Sequence, residues 1–477
     1  RSRCGMSADL SGAINDRAMF HSDNAYFLEH ATIRSHRCKT HTVSNTAFRG
    51  FGGPQGMFGI EYVIDEIARY LKLDPLDVRR ENFYGVGERN VTPYRQTVED
   101  NLIQTIADRL ERTSDYRARR EQLRNWNAAS PILKRGLALT PVKFGISFTA
   151  THLNQAGALL HVYTDGTVHL NHGGTEMGQG LFTKVAQVVA EELKIDIGRI
   201  KITASDTAKV PNASATAASS GSDLNGKAAE RAARTIRERL TRFAAEHFGV
   251  AEESVVFSAN HVTAGGETVP FSALVKLAYT ARISLSATGY YRTPKINYDR
   301  ATLTGRPFFY FAYGAAVAEV VIDTLTGEYR LLRADILHDC GKSLNPAIDL
   351  GQIEGGFIQG VGWLTSEELW WNERGEQKTH APSTYKIPVC SDVPADFRVE
   401  MLESAANRED TVHRSKAVGE PPLMLGLAAF HAIKDAVAAA GDYRAAPRLN
   451  APATPEAILT SVSELRGRLA GAERAAG

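Results

Sequence analysis

The chain has few cysteines. Its 477 residues include only Cys4, Cys38, Cys340 and Cys390, which are far apart and form no CxxC pair. This spacing predicts neither a zinc knuckle nor an iron–sulfur cluster. A secreted chain of this size more often carries paired cysteines, so we expect a reducing, cytoplasmic location.

The chain also lacks an excess of charge of one sign and a long apolar run. It has 55 basic and 54 acidic residues, a formal net charge of +1. This balance provides no general attraction to nucleic acid or to anionic membranes. No uninterrupted apolar run approaches the ~20 residues that a membrane span needs. We therefore expect no nucleic-acid partner and no membrane.

Length and composition are those of a globular protein. Hydrophobic residues make up 43% and charged residues 23% of the chain, which is typical of a soluble enzyme or enzyme subunit. The first residue is Arg1 rather than methionine, and no charged-then-apolar leader follows. We expect this chain to be part of a longer subunit.

Hydrophobic periodicity predicts an α+β fold. Amphipathic or Ala-rich helices are expected at 56–72, 181–194, 223–248 and 425–440, and strands begin from residue 136. In the first of these helices, apolar residues recur at three- and four-residue steps with charged residues between them: Met57, Ile60, Val63, Ile64, Ile67 and Leu71 alternate with Glu61, Asp65 and Arg69. A polar helical stretch from 89 to 134 predicts two domains, 1–130 and 131–477.

Two glycine-rich segments precede predicted helices. Residues 49–56 are suited to binding an anion at a helix N-terminus, although their glycines could equally serve turn geometry alone. Residues 172–180 contain Gln179, whose amide offers both a donor and an acceptor. His172 alone is more typical of a structural histidine than of a metal ligand, and Glu176 could be a helix cap.

Two further segments have an unusual composition. Residues 213–222 are almost all small, which is typical of a flexible linker, yet they precede a long helix and could form a close-fitting loop beside a cofactor. Glu420 lies between a glycine and two prolines in 418–422, a stiff loop that suits a positioned general base. The alternative for Glu420 is a solvent-facing loop glutamate.

Taken together, four motifs resemble the molybdenum hydroxylase (xanthine oxidase) family. They are FRGFGGPQ at 48–55, GGTEMGQG at 173–180, TAAS at 216–219 and VGEPP at 418–422. The resemblance extends in order from about residue 9 to residue 455. It implies two elongated, mixed α/β molybdopterin-binding domains with the cofactor between them. It also implies that a pterin dithiolene holds the molybdenum, so no protein ligand to the metal is expected.

The resemblance implies catalytic roles for two residues. Glu420 matches the base that takes a proton from a water-derived ligand on molybdenum, while hydride passes from the substrate to a sulfido ligand. Arg17 matches an arginine that xanthine dehydrogenases use to stabilise negative charge on the purine, and that related aldehyde oxidases usually lack. The implied reaction is the hydroxylation of hypoxanthine to xanthine and of xanthine to urate.

Further positions are implied to bind substrate or cofactor. Phe51 and Phe148 match the two aromatic rings that hold a flat substrate, one stacked and one edge-on. Gln179 and Gln352 match residues that hydrogen-bond the pterin. The remaining assigned positions are Thr149 and Ala218 beside the substrate, and Gly178, Arg49, Phe48 and Ala217 around the cofactor.

The family also implies partners outside these 477 residues. Two 2Fe–2S clusters and FAD would lie in other domains or in a partner subunit and would pass electrons to NAD. A second active-site glutamate, another glutamine and another phenylalanine would come from the N-terminal remainder of the subunit. A dimer of heterodimers is implied for the assembly.

Two alternatives to purine hydroxylation are open. An aldehyde oxidoreductase or another N-heterocycle hydroxylase of the same family is disfavoured by Arg17. A non-catalytic scaffold subunit is disfavoured because Glu420, Gln179 and Arg17 are all present. His152 stands where related enzymes often have an aromatic residue in the access channel, so channel selectivity is left open.

Overall fold

The computed structural model describes residues 1–403 and 406–476 and has mixed helices and sheets, which confirms the predicted α+β class. The helices are α1 Ser11–Phe20, α2 Gly53–Leu71, α3 Pro75–Asn82, α4 Ile103–Thr113, α5 Tyr116–Ala129, α6 Leu181–Leu193, α7 Gly221–Phe248, α8 Phe271–Thr280, α9 Pro346–Leu364, α10 Leu427–Ala439 and α11 Pro455–Ala476. The strands are β1 Ser2–Gly5, β2 Arg37–Lys39, β3 Leu133–Ile146, β4 Gln155–Val162, β5 Val168–His172, β6 Ile200–Ile202, β7 Val256–Ser258, β8 His261–Ala264, β9 Glu267–Pro270, β10 Ser286–Arg292, β11 Asn297–Asp299, β12 Thr304–Arg306, β13 Tyr310–Asp323, β14 Tyr329–His338 and β15 Asp396–Met401.

The central sheet has the strand order β15-β14-β13-β3 and is covered on both faces. Strand β13 runs antiparallel to β3 along its whole length, from Tyr310 opposite Ile146 to Asp323 opposite Leu133. Side chains alternate between the faces of a strand. On β13, Phe311, Tyr313 and Val317 therefore join the core of the first 130 residues, while Ala312 and Ala316 join the core formed with α9 and α10.

Helix α10 packs directly against β3. A side chain at Gly136 would place its Cβ 2.0 Å from the carbonyl oxygen of Ala432, so only glycine fits where the helix crosses the strand. The stretch Pro421–Ala439 is long and apolar enough to cross a membrane by length and composition, but every residue of its most apolar window is buried. The stretch contains α10, whose apolar side chains form part of the buried core with β3 and α9.

The second sheet, in the order β10-β4-β5-β6, is covered by α6, α7 and α8. Alanines on α7 allow a close approach to this sheet, since a Cβ at Gly289 on β10 would lie 1.9 Å from the carbonyl oxygen of Ala228. Segment 172–180 leads from β5 of this sheet into α6, and segment 213–223 leads into α7. The predicted domain boundary near residue 130 stays a prediction; α5 ends at Ala129 and β3 follows at once.

Candidate active site

Glu420 lies where the small-residue segment meets the proline-rich loop. The Ser219 hydroxyl donates to Glu420 Oε2 at 2.8 Å and accepts from the Glu420 backbone N–H, also at 2.8 Å. Glu420 is 9% exposed and Ala218 is 5% exposed. At Ala218 and Ser219 the small-residue segment is therefore packed against the Glu420 loop and is not a free linker, and the solvent-facing interpretation of Glu420 is wrong.

Arg49 connects the first glycine-rich segment to the Glu420 loop and to α9. Its Nε donates to the carbonyl oxygen of Gly419 at 2.6 Å. Its Nη2 lies 3.3 Å from both the backbone and the side-chain oxygen of Gln352, and its Nη1 donates to Gln359 Oε1 at 3.2 Å. Gln359 was not predicted from the sequence, although it follows Gln352 by two helical turns and so shares its face of α9.

Arg17 is buried beside Glu420. Only 1% exposed, its guanidinium donates to the carbonyl oxygens of Gly145 and Ser147, each at 2.7 Å. Its Nη2 is 3.6 Å from Glu420 Oε2. Burial lowers the pKa of Arg17, and the neighbouring Glu420 carboxylate opposes that shift. Arg17 is therefore not a surface arginine.

Two aromatic rings form the apolar surroundings of the Arg17 guanidinium. The guanidinium carbon lies 4.7 Å from the ring centre of Phe144 and 5.3 Å from that of Phe308. Contacts of this kind stabilise a cation by the negative face of the ring. The charge is thus held rigidly at the end of β3.

The Phe148–Thr149 pair follows directly after β3 and is fixed by two side chains. Asn154 accepts from the Phe148 N–H at 2.8 Å and donates to the Phe148 carbonyl oxygen at 3.0 Å. The Tyr298 hydroxyl donates to the carbonyl oxygen of Thr149. Neither Asn154 nor Tyr298 was identified from the sequence, because both contacts are made by residues outside the conspicuous motifs.

Phe51 projects from a turn that glycines make possible. Its φ is +50°, between Gly50 at +93° and Gly52 at +98°. A Cβ at Gly52 would lie 2.0 Å from the carbonyl oxygen of Ile14, so the glycines do serve turn geometry. Phe48, in the same loop, is exposed, whereas Phe51 is half-buried. The loop leads into α2 at Gly53.

The Gln179 loop is ordered by its own side chains. Gln179 donates to the Thr175 carbonyl oxygen at 2.8 Å, and its amide oxygen accepts from the Met177 N–H. Glu176 accepts from the N–H groups of Gly178, Gly180 and Phe182 at 2.8–3.0 Å, which lowers its pKa against the effect of burial and caps α6. Glu176 is thus the helix cap that the sequence allowed.

His172 is a structural histidine. It is buried, and its Nδ1 accepts from the Gly174 N–H at 3.1 Å. Burial lowers the pKa of His172 to about 4, so the ring is neutral near pH 7. The Thr175 N–H donates to Thr216 Oγ1 at 2.8 Å and joins this loop to the small-residue segment 213–222.

Buried ion pairs lie behind these loops. Lys184 on α6 pairs with Asp349 on α9, three residues before Gln352. Lys416 lies 2.7 Å from Asp339 and 2.8 Å from Asp100. Breaking a buried pair by removing one partner leaves an uncompensated charge, so such pairs hold their elements in one arrangement. These three pairs fix α6, α9 and the start of the Glu420 loop.

Asp223, in the first turn of α7, is a buried carboxyl group bonded to a tyrosine. The Tyr310 hydroxyl donates to Asp223 Oδ2 at 2.8 Å. Burial raises the pKa of Asp223 to about 7, an effect that the Tyr310 hydrogen bond and the charges of Lys227 and Lys184 partly oppose. Acids whose pKa is raised by burial are more frequent at functional sites than elsewhere.

The raised pKa of Asp223 makes stability depend on pH. Between about pH 4 and pH 7 the folded protein binds more protons at Asp223 than the unfolded chain does. Because of this difference, the free energy of unfolding falls as pH rises. Asp223→Asn removes this fall. The stability of the variant relative to wild type should therefore improve by roughly 4 kcal/mol between pH 4 and pH 8, measured as the change in Tm difference with pH.

Asp206→Asn is the control for this prediction. Asp206 is exposed, and hydrogen bonds from Ala208 and Lys209 lower its pKa. Its replacement should give no relative gain as pH rises. A Tm difference between Asp223→Asn and wild type that is the same at pH 4.5 and pH 8 would contradict the assignment.

The polar groups of this region fit a hydrogen-bonded pterin cofactor that brings its own metal. Gln179, Gln352 and Arg49 supply amide and guanidinium groups, and a Cβ at the exposed Gly178 would meet no neighbouring group within 4 Å. Within residues 1–403 and 406–476, no group of three or more His, Cys, Asp or Glu residues could hold a metal ion.

Comparison with known proteins identifies two matching regions. The model of the molybdopterin cofactor-binding domain family matches residues 1–83, and a second model with the same description matches residues 109–394. The chain is 47% identical over 460 residues to a protein of Mus musculus named xanthine dehydrogenase/oxidase, which covers 95% of this chain. The chain spans 33% of the length of that curated relative.

Solved structures share the fold. Quinoline 2-oxidoreductase from Pseudomonas putida 86 superimposes with a TM-score of 0.82 at 25% identity, covering 95% of this chain and 57% of its own. Aldehyde oxidoreductase from Desulfovibrio gigas gives a TM-score of 0.77 at 24% identity, covering 94% of this chain and 45% of its own. The second likeness shows the fold alone. The fold, the two matched regions and the site geometry agree: this chain belongs to the molybdopterin cofactor-binding domain family of the molybdenum hydroxylases.

Proposed function

We propose that this chain forms the cofactor and substrate pocket of a purine hydroxylase that converts hypoxanthine to xanthine and xanthine to urate. The observation that carries the proposal is the buried Arg17 guanidinium, 3.6 Å from the Glu420 carboxylate. A cation there can stabilise negative charge that develops on a purine oxygen. The name of the mouse relative, xanthine dehydrogenase/oxidase, supports the same substrate class.

The cofactor, when bound, supplies the transfer of oxygen and the acceptance of two electrons. Gln179, Gln352 and Arg49 would hold it through their amide and guanidinium groups, with Gly178, Phe48 and Ala217 shaping the surrounding loops. Phe48 and Arg49 precede α2, Gly178 and Gln179 precede α6, Ala217 precedes α7, and Gln352 lies on α9. Anchoring to helices reduces the freedom that a cofactor-binding loop would otherwise lose on binding.

Glu420 is the proposed general base. Its Oε2 already accepts from Ser219 and faces Arg17, so we assign the proton to Oε1. A carboxylate oriented in this way removes a proton without first rearranging, which is the basis of general base catalysis. The two prolines after Glu420 restrict the loop further.

The substrate would lie between Phe51 and Phe148, which hold a flat ring by stacking and edge-on contact. Thr149 and Ala218 border the same space: Thr149 is next to Phe148, and Ala218 is next to Ser219. Arg17 holds the carbonyl oxygens of Gly145 and Ser147 and thereby also orients Phe148. Substrate charge and substrate orientation thus depend on one buried cation.

The remaining parts of the enzyme are proposed from the length of the relatives. This chain spans 33% of the mouse relative, so other segments or subunits have room for the two 2Fe–2S clusters, for FAD and for further active-site residues. We place NAD as the final electron acceptor, a dimer of heterodimers as the assembly and the cytoplasm as the location. The scarcity of cysteine in this chain fits clusters that are bound elsewhere.

An N-heterocycle other than a purine is the second candidate. Quinoline 2-oxidoreductase has the same fold at 25% identity, and its name indicates a flat heterocyclic substrate. An aldehyde substrate is less favoured, because it has no purine ring oxygen on which negative charge could develop beside the buried Arg17. A non-catalytic scaffold is also less favoured, because the polar contacts around Glu420 are complete.

The test is substrate preference of the full-length holoenzyme that contains this chain. Xanthine, benzaldehyde and quinoline are compared by kcat/KM at equal molybdenum content. We expect xanthine to exceed both by at least about 10-fold, the scale at which a paired polar group discriminates between substrates. Turnover of benzaldehyde or quinoline without xanthine would contradict the purine assignment, and an absence of bound molybdenum would favour a scaffold.

A further inference from the structure

Two hydrogen-bonded bridges join the segment 217–223, here called the wall segment, to the segment 417–420, here called the base segment. The first bridge is the Ser219 hydroxyl, which contacts Glu420 at both its carboxylate and its N–H. A Cβ at Gly419 would lie 3.1 Å from Ser219 Oγ, so the two segments pass each other closely. The wall segment thus limits where the base can lie.

The second bridge is the Tyr310 hydroxyl. Tyr310 begins β13, an inner strand of the central sheet, and is 3% exposed. Its hydroxyl donates to Asp223 Oδ2 at 2.8 Å and accepts from the Ala417 N–H at 3.0 Å. Both capacities of the hydroxyl are therefore used, one toward each segment.

The position of Ala417 makes this bridge relevant to the base. Ala417 is three residues before Glu420, and Lys416 before it is fixed by Asp339 and Asp100. Pro421 and Pro422 restrict the chain on the other side of Glu420. Between these two restraints, the Tyr310 bond fixes the backbone at Ala417 to the central sheet, and Arg49 and Ser219 bind the backbone at Gly419 and Glu420.

Asp223 supports a role beyond simple packing. A buried carboxyl group is unfavourable for folding unless it is paired, and a leucine or asparagine would avoid much of that penalty. The group nevertheless accepts from Tyr310 and so fixes the direction of the hydroxyl. With its proton directed at Asp223, the hydroxyl presents a lone pair to the Ala417 N–H.

We propose that Tyr310, oriented by Asp223, is a positioning residue that places Glu420 for proton transfer by binding the Ala417 backbone. This proposal rests on the proposed function only in taking Glu420 as the base. It predicts a defect in turnover without a comparable defect in substrate binding, because a misplaced base affects the chemical step. It also predicts a local change that can be measured without turnover.

Tyr310→Phe tests this in the full-length holoenzyme. The ring stays in the core while the Ala417 N–H loses its acceptor, so amide exchange in the peptide covering 416–420 should become at least about 10-fold faster. We expect kcat to fall about 10-fold and KM to change by less than about 3-fold, at unchanged molybdenum content. Asp223→Asn, which keeps an oxygen for the Tyr310 hydroxyl, should lose less kcat than Asp223→Leu.

Tyr329→Phe is the matched control. Tyr329 donates its hydroxyl to Thr365 Oγ1 at 2.8 Å and pairs with Ile322, twelve residues along β13 from Tyr310. That is roughly 40 Å away at ~3.3 Å per residue. Tyr329→Phe removes a comparable hydrogen bond from the same sheet. It should change neither amide exchange at 416–420 nor kcat.

Unchanged exchange and unchanged kcat in Tyr310→Phe would overturn the proposal, as would equal losses in the Tyr329→Phe control. If the wild-type enzyme proves to act on an aldehyde or on quinoline, the purine assignment fails. The positioning role is then judged with that substrate by the same kcat and exchange criteria. A Tyr310→Phe protein that loses its molybdenum would also contradict the proposal, because the residue would then support cofactor binding instead.

Discussion

Glu420→Gln should lower kcat at least about 100-fold, while the fold and the molybdenum content stay as in the wild type. Glutamine has the shape of glutamate, and its amide oxygen can still accept from the Ser219 hydroxyl at the 2.8 Å contact seen for Oε2. The amide cannot take up the proton that the reaction releases. Steady-state kcat at saturating xanthine, together with metal content and Tm, measures the effect.

A second buried carboxylate provides the control for this experiment. Glu367 lies beyond the end of α9, is 7% exposed and accepts from the Tyr385 hydroxyl. Glu367→Gln replaces a carboxylate of similar burial outside the proposed pocket and should leave kcat unchanged. A Glu420→Gln enzyme with near-normal turnover would show that another group takes the proton.

The loops of the site were predictable because their sequences are unusual. Glycine at a positive φ, as at Gly50 and Gly52, and two prolines after Glu420 are local features that can be recognised without knowing the fold. The long helices were predictable for a similar reason. Their apolar or alanine-rich repeats predicted 223–248 and 425–440, and the structure has Gly221–Phe248 and Leu427–Ala439.

The contacts between these loops could not be predicted from the sequence. Ser219 and Glu420 are 201 residues apart, and Tyr310 and Ala417 are 107 residues apart. Each contact depends on how the two sheets and their helices pack. Ser219 lies inside a recognised motif but carried no predicted role, because a hydroxyl in a run of small residues provides no local signal.

Helix α2 shows why periodicity alone was insufficient. Its apolar residues were expected to face the core, yet Val63 is 49% exposed while Glu61 is fully buried. Glu61 is buried because Arg79 lies 2.8 Å away and Tyr26 and Asn24 donate to it. A pattern that scores every charged side chain as exposed cannot detect a buried, fully paired carboxylate.

Arg17→Met should lower kcat/KM for xanthine about 100-fold or more, because one charge-stabilising contact in a buried site contributes a few kcal/mol to the transition state. Methionine can fill the space against the rings of Phe144 and Phe308, whose centres lie 4.7 and 5.3 Å from the guanidinium. The carbonyl oxygens of Gly145 and Ser147 lose their donors, so Phe148 is also less well held. Any slow turnover of benzaldehyde should therefore fall too. Its fold loss should be at least about 10-fold smaller than the fold loss for xanthine.

Arg17→Lys separates the two contributions. A lysine keeps the positive charge near Glu420 but cannot donate to both carbonyl oxygens with the geometry of a guanidinium. If charge dominates, xanthine turnover in Arg17→Lys recovers relative to Arg17→Met; if orientation of the Phe148 loop dominates, the two variants are equally impaired on both substrates. Equal losses for xanthine and benzaldehyde in Arg17→Met, at normal Tm and molybdenum content, would remove the purine-specific role. They would leave Arg17 as the residue that holds the end of β3 in place, since its two bonds to the strand are present whatever substrate enters the pocket.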